Sequence, residues 1–486
     1  MRTFLALVVV ILSGCASPYF RDAGPAPEPA AVTLETWPHA DLWTGVVFNG
    51  EKIGFTRRQV RAAPGAPGRW EIESEATMRL QFLGVDKRIR LYALDRVRGD
   101  LTLEAFRYEN EIDGNRMQVS GSADAGRVRF VVEARGSREE KSLPLDKPLY
   151  ASSALGFLPV TQGLKLGASR RFVVFHGETQ SLTEVEQDVV AYESSQLFSG
   201  TAFKVMTRML GLETTTWISA DGQPLLELAM NGVIISALED EARARHYLVE
   251  AALNKRDTMV DFSLLRSAPI DSPRRVSRMD IVIENVPREF SLASEGGQTC
   301  ARKAERLECR IDRAVALAQG DPKRYLAPTM AAPSTLGEIS TLAKSIAGNA
   351  ATDDERIARL IAWMDANIAK EAVDAFTAAD VLAARRAECQ GHAYLFAAFG
   401  RALGIPTRIV NGIAYSEGHT GFLYHSWNEA WIAGRGWQPV DATFGQAHAD
   451  ATHVKLIEGE TAAELVPLVN LVGRVRIGSV AALARW

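Results

Sequence analysis

The chain has 486 residues, 47% of them hydrophobic and 23% charged, with a formal net charge of −4. That length suits about three domains of ~150 residues each, and the balance is that of ordinary globular protein. The mild acidity, with no long block of Lys and Arg, excludes an electrostatic grip on nucleic acid.

At the N-terminus, Arg2 precedes a nine-residue apolar run over 4–12. The run is too short to cross a bilayer as a helix and suits an export signal. It ends in Leu12-Ser13-Gly14-Cys15. Small residues before that cysteine resemble the lipobox of bacterial lipoproteins, which implies cleavage ahead of Cys15 and its lipidation. A plain secretory signal with an incidental cysteine is the alternative. With Ala16 next, the resemblance implies the periplasmic face of the outer membrane in a Gram-negative cell. A multi-acyl anchor holds a protein on a membrane without a spanning helix. No later apolar run reaches spanning length. Residues 16–35 are Pro/Ala-rich and read as a tether.

From 36 to 272 the texture is that of strands. Polar and apolar residues alternate over 88–95 and 127–134, and Asn, Asp and Gly punctuate the runs at 49–54 and 113–115. Residues 214–228 read as two strands around Asp221-Gly222-Gln223-Pro224. Many short strands imply an antiparallel β-sandwich or an open barrel-like sheet. A separate β segment, 273–334, contains Cys300 and Cys309, nine positions apart around a polar turn. In an exported protein these two are expected to form a disulfide. Of four cysteines, Cys389 is then left over.

Residues 335–486 change to an α+β texture. Over 352–371, Ile357, Leu360, Ile361, Met364 and Ile368 recur at helical spacing, and Thr352 with Glu355 fits a capping box. A second helix is expected near 378–386. A third opens at Cys389, turns Leu395, Phe396, Phe399 and Leu403 inward, and stops at Gly404. Strands follow over 407–415, 424–432 and 436–444. The expected architecture is therefore multidomain: an N-terminal all-β antiparallel region and a C-terminal α+β domain.

A cysteine at the start of a helix sits at the positive end of the macrodipole, which favours thiolate. A nucleophilic cysteine needs a base, and the base an orienting group. His425 opens one strand and Asp441 closes the next. An odd-numbered loop between the strands, or a bulge, places the two diagonally on one face. The order Cys389, His425, Asp441, with RALGIPTRIV at 401–410, HSWNEAWI at 425–432, GWQPVDATFGQ at 436–446 and DATH at 450–453, resembles the transglutaminase-like superfamily, a papain-like cysteine fold, and its bacterial secreted branch. The resemblance covers roughly 335–470. It implies Cys389 as nucleophile, His425 as base and Asp441 as orienter. It further implies acyl transfer at amide bonds of a protein or peptide substrate, either to water (peptidase or amidase) or to an amine (transglutaminase-type transfer). Ser426 stands where the family usually has Ala. The glycine common before the cysteine is absent, so one oxyanion donor, beyond the Cys389 backbone N–H, is unassigned.

Other readings stand beside this one. The fold can serve as an inactive scaffold or binding module. Five of the eight histidines lie between His392 and His453, so a metal site is a rival. The chain has no HExxH, and Cys389 with His392 is its one close Cys/His pair, so neither metal nor cofactor is expected. His392 and His453 read as histidines near the cleft with their bonds satisfied. Trp427, Trp431 and Trp437 read as core before substrate contact, and Glu429 as a buried ion-pair partner.

Overall fold

A computed structural model of the chain describes residues 19–28, 32–124, 126–254, 256–290, 292, 294–314 and 321–484. The apolar run and Cys15 lie outside the described residues, as does part of the expected tether.

The N-terminal strands join in one sheet of 16 strands among the described residues, not in two separate sheets as a sandwich would have. From Leu149–Ala151 the sheet runs through successive strands to Ile234–Glu239. That strand pairs with Asp41–Phe48, and further hairpins lead to Ser137–Pro144. Neighbours are antiparallel except Leu149–Ala151 with Ser169–His176, which are parallel. Two turns read from sequence are two-residue hairpin turns with the positive φ that such turns require: Asn49-Gly50 (47° and 83°) and Asp113-Gly114 (53° and 88°). The sheet rolls up, so residues from distant strands share one core. Ile72, Val97 and Phe130 meet Phe172, Phe175 and Phe203 there. Two helices unforeseen in the strand pattern, Glu241–Leu253 and Thr258–Ser263, follow; Asp240 and Asp257 cap their first turns.

The C-terminal region has three layers. In the middle is a five-stranded sheet of Leu265–Arg266, Thr407–Ser416, Gly421–Ile432, Gly436–Val440 and Val454–Glu458. On one face pack the helices Gly337–Ala347, Asp353–Asn367, Ala378–Ala384 and Cys389–Ala402, burying Ile357, Leu360, Met364, Leu395, Phe396 and Phe399 against Ile409, Ala430 and Val440. On the other face lies a four-stranded sheet of Val276–Glu284, Gln298–Lys303, Arg306–Asp312 and Arg476–Ala484. The expected boundary between 273–334 and 335–486 is crossed by this sheet. Its last strand comes from the chain's end and pairs with Val276–Glu284. Cys300 and Cys309 face each other directly in the hairpin register, with Cα atoms 4.1 Å apart and sulfurs 2.12 Å apart.

The two regions are braced where hairpin tips of the large sheet meet residues 372–380. Lys87, buried at the junction, donates to the Ala372 carbonyl (2.9 Å) and pairs with Asp113 (3.3 Å) and Asp374. Asn115 donates to the Asp374 carbonyl (2.6 Å), and Arg135 pairs with Asp380 (3.1 Å). The same segment reaches the cysteine helix, because the Glu388 amide donates to the Val373 carbonyl (3.0 Å).

Candidate functional site

Cys389 is the first residue of a helix buried almost throughout its length. Glu388 is its cap: one carboxyl oxygen accepts from the Gly391 amide (3.1 Å). Gly391 has to be small here, since a Cβ would stand 2.6 Å from that of Ala387. The Asn428 side chain donates to the Ala393 carbonyl (3.0 Å) and ties the helix to strand Gly421–Ile432. The backbone of Ser426, next to His425, faces the Cys389 sulfur.

His425 and Asp441 come from neighbouring strands. Ile432 pairs with Gly436 and Trp431 with Trp437, which leaves a three-residue loop, 433–435. With that odd loop, Asp441 falls diagonal to His425 on one face. His425 Nε2 donates to Asp441 Oδ2 at 2.8 Å. The imidazole is stacked on Phe444 (centroids 4.7 Å apart, planes 8° apart), and Arg274 lies over the same ring at 3.8 Å. Trp427 and Trp437 are core residues, and Glu429 is buried with Arg408 (2.6 Å) and Lys455 (3.0 Å).

Asp441 carries more than the histidine. Its Oδ1 accepts from the amides of Thr443 (2.7 Å) and Phe444 (3.1 Å), and its Oδ2 also accepts from His453 Nε2 (2.9 Å). Burial, the largest single influence, would raise its pKa, but His425 and His453 together outweigh it, so the carboxyl stays far below its usual range. Burial likewise works against a charged His453; Asp450 and Asp441 together outweigh it, and its pKa rises. Asp450 is itself held low against burial, chiefly by His453.

His425, Asp441 and His453 place their ligand atoms within 4.8 Å of one another, a spacing that a metal could use. The hydrogen bonds argue otherwise. His453 Nδ1 faces the Asp450 carbonyl (3.1 Å), which can only accept, and its Nε2 faces a carboxylate. Both ring nitrogens therefore carry hydrogen, and neither lone pair is free for a cation. His453 is a buried imidazolium that neutralises Asp441.

Glu388 is the residue that the sequence reading passed over. The Cys389 Sγ–H donates to its second carboxyl oxygen (3.1 Å). Burial pushes the Cys389 pKa well up and Glu388 pushes it further, while the Ser426 backbone works in the opposite direction. This reverses the lowered thiol pKa expected from helix position alone. The Glu388 pKa is also raised, by burial first and then by Asp374. The signal in the sequence was a carboxylate immediately before the cysteine, in a stretch that lacks the family-typical glycine.

Comparison with known proteins bears on this same region. Residues 340–442 match the family model described as the transglutaminase-like superfamily. Kyphoscoliosis peptidase of Mus musculus is 29% identical over 130 residues, covering 24% of this chain and 20% of the relative. The chain thus spans about a fifth of the length of the curated relatives it matches. The periplasmic domain of TgpA from Pseudomonas aeruginosa is similar over 38% of this chain and 88% of that one, with 16% identity and a TM-score of 0.27. A β-barrel-like protein from Brucella abortus is similar over 41% of this chain and 95% of that one, with 8% identity and a TM-score of 0.33. The chain carries a transglutaminase-like domain over residues 340–442, following a large antiparallel β region.

Proposed function

We propose that the chain is an envelope lipoprotein that breaks or transfers amide bonds of proteins or peptides, with Cys389 as nucleophile, His425 as base and Asp441 as orienter. The observation that carries this reading is the 2.8 Å bond from His425 Nε2 to the buried Asp441, which fixes the imidazole on the strand facing the Cys389 sulfur. With Nε2 protonated toward Asp441, Nδ1 is left as the basic nitrogen. The resting sulfur is a thiol, so His425 takes its proton as the sulfur attacks the substrate carbonyl. The S–C bond forms, and the C–N bond breaks as His425 returns that proton to the leaving amine. Water or a second amine then attacks the thioester carbonyl and gives its proton to His425; the C–S bond breaks, and His425 returns that proton to the sulfur, which restores the thiol. The first N–H groups of a helix have no acceptor within it, so the Cys389 amide is available to the oxyanion. Trp427 Nε1 is a buried donor of this region without an acceptor among the described residues.

The test is turnover of a casein digest, followed both by newly released amines and by incorporation of a fluorescent primary amine. Activity in the parent that Cys389→Ala abolishes supports the reading, and the two readouts separate hydrolysis from transfer. Equal turnover by Cys389→Ala would sink it. A second reading, a scaffold that keeps the fold, is favoured by the Glu388 contact, which leaves the thiol protonated. Export and anchoring rest on Cys15 and on the facing pair Cys300 and Cys309, which we take as a disulfide. Labelled palmitate that still enters a Cys15→Ser chain would overturn the anchor.

A further inference from the structure

A cavity of about 760 Å³ lies inside the rolled N-terminal sheet and includes none of Cys389, His425 and Asp441. A second space of about 300 Å³ adjoins it, with Thr56, Ser74 and Ser153 lining both. The walls come from strands far apart in sequence, with Leu42, Val205 and Ile218 among the apolar side chains. Ligand sites of small molecules are of this size and kind, largely apolar with a few placed polar groups.

One of those polar groups is Arg58. It lines the cavity, its Nε is buried without an acceptor, and it forms no ion pair among the described residues. Its guanidinium lies over the Phe157 ring at 4.6 Å. Burial pulls its pKa down to about 10, so the group remains a cation at neutral pH. Glu227 also lines the cavity; it accepts from Thr216 (3.1 Å) and forms no hydrogen-bonded pair with Arg58, its charge acting on Arg58 only at longer range, and burial raises its pKa. Gln187 Oε1 is likewise buried without a donor. Buried charges in folded proteins are paired, because an unpaired one carries its desolvation cost uncompensated.

The roof is apolar as well. Helix Ala462–Val469, from the C-terminal region, turns Leu465, Val466 and Val469 toward the cavity, and none of its residues is buried. Leu468 of the same helix packs on the core below the five-stranded sheet. The helix is anchored on one side and leaves its apolar residues over open space on the other.

We infer that this cavity binds a single-chain amphiphile with an anionic head group. The head sits on Arg58, and the chain lies among Leu42, Val205 and Ile218 beneath Leu465 and Val466. The site does not depend on chemistry at Cys389.

The experiment is a fluorescence titration of the purified full chain with cis-parinaric acid and with its methyl ester. We expect saturable binding of one acid per chain. The ester should bind about ten- to a hundredfold more weakly, the range for losing hydrogen bonds to a charged group. Arg58→Gln should bring the acid down to the affinity of the ester, and retained ester binding shows that the cavity is intact. Arg58→Lys should keep a preference for the acid. Leu465→Trp should weaken both probes. Displacement by palmitate against displacement by lysophosphatidylglycerol distinguishes a carboxylate from a phosphate source. No saturable binding by the parent chain, equal affinity for acid and ester, or an Arg58→Gln chain that still prefers the acid would each overturn the inference.

Discussion

The transglutaminase-like site and the interior of the β region treat buried charge in opposite ways. Around Asp441 every charge is matched: the carboxylate receives two imidazoles and two amides, and His453 is held between two acidic residues. Inside the rolled sheet, Arg58 has an aromatic ring and, among the described residues, no hydrogen-bonded counter-charge, Glu227 acting on it only at longer range. A matched cluster is already organised and has nothing left to gain from a ligand's charge. An unmatched cation in a cavity is organised for something that arrives from outside.

The largest expected effect tests whether the matched cluster is a working site. His425→Ala should lower amide turnover by about 10²- to 10⁴-fold, the usual contribution of a positioned acid–base group, while leaving Asp441 bound to His453. A loss below fivefold would mean that the cluster is structural only. Next comes the cost of unmatching it. His453→Asn should destabilise the fold by about 3–5 kcal/mol, because it removes the buried cation shared by Asp441 and Asp450 and leaves Asp441 with His425 and Asp450 with Arg274 alone. Urea unfolding midpoints measure this.

The pH dependence of that cost follows from the shifts. His453 has a raised folded pKa, so its contribution is full below about pH 6.5 and fades as pH rises through the folded value. Asp441 and Asp450 have lowered folded pKa values. Their contribution is present above about pH 4 and is lost as pH falls through those values. The gap between the parent chain and His453→Asn should therefore be widest between about pH 4 and 6.5, and should narrow as pH rises above that range toward the raised folded value of His453. A gap that is flat from pH 5 to 10 would mean that His453 is neutral. A smaller effect is expected at the junction of the two regions. Lys87→Met leaves Asp113 and Asp374 without their cation and should cost about 1–3 kcal/mol. It should also lower turnover if the brace positions the Cys389 helix, and an unchanged rate would confine its role to stability.

The two regions were not equally legible. Helical spacing located three helices of the C-terminal region to within a few residues, because each rests on a local apolar pattern, while Gly337–Ala347 and Ala462–Val469 were not foreseen. The diagonal placing of His425 and Asp441 followed from loop parity alone, and the loop has three residues. The return of Arg476–Ala484 to pair with Val276–Glu284 carries no local signal, since it joins strands about 200 residues apart. The cavity was invisible for the same reason. Alternation marks which residues of a strand face inward, but not whether the space they face is filled. Nothing in the local sequence marks Arg58 as a cavity residue. His453 read as a satisfied histidine near the cleft, which understated it, because its partner is the carboxylate of the site itself.

Glu388 offers the finest test, because it decides whether the matched cluster extends to the sulfur. Its carboxyl accepts from Cys389 and raises the thiol pKa, while the helix N-terminus and the Ser426 backbone favour thiolate. Glu388→Gln removes a like charge from beside the developing thiolate and keeps an oxygen able to accept from Gly391, so the helix cap survives. Iodoacetamide labelling of Cys389 should then reach its half-maximal rate at lower pH than in the parent chain, and labelling near neutral pH should be severalfold faster. If turnover rises with labelling, Glu388 restrains an active thiol, and the carboxyl beside the sulfur sets the pH at which the site works. If labelling rises and turnover stays at zero, the thiol can be freed without producing an enzyme, and the scaffold reading gains. An unshifted labelling profile would mean that burial alone holds the proton on sulfur, and the Glu388 contact would then be a cap and no more.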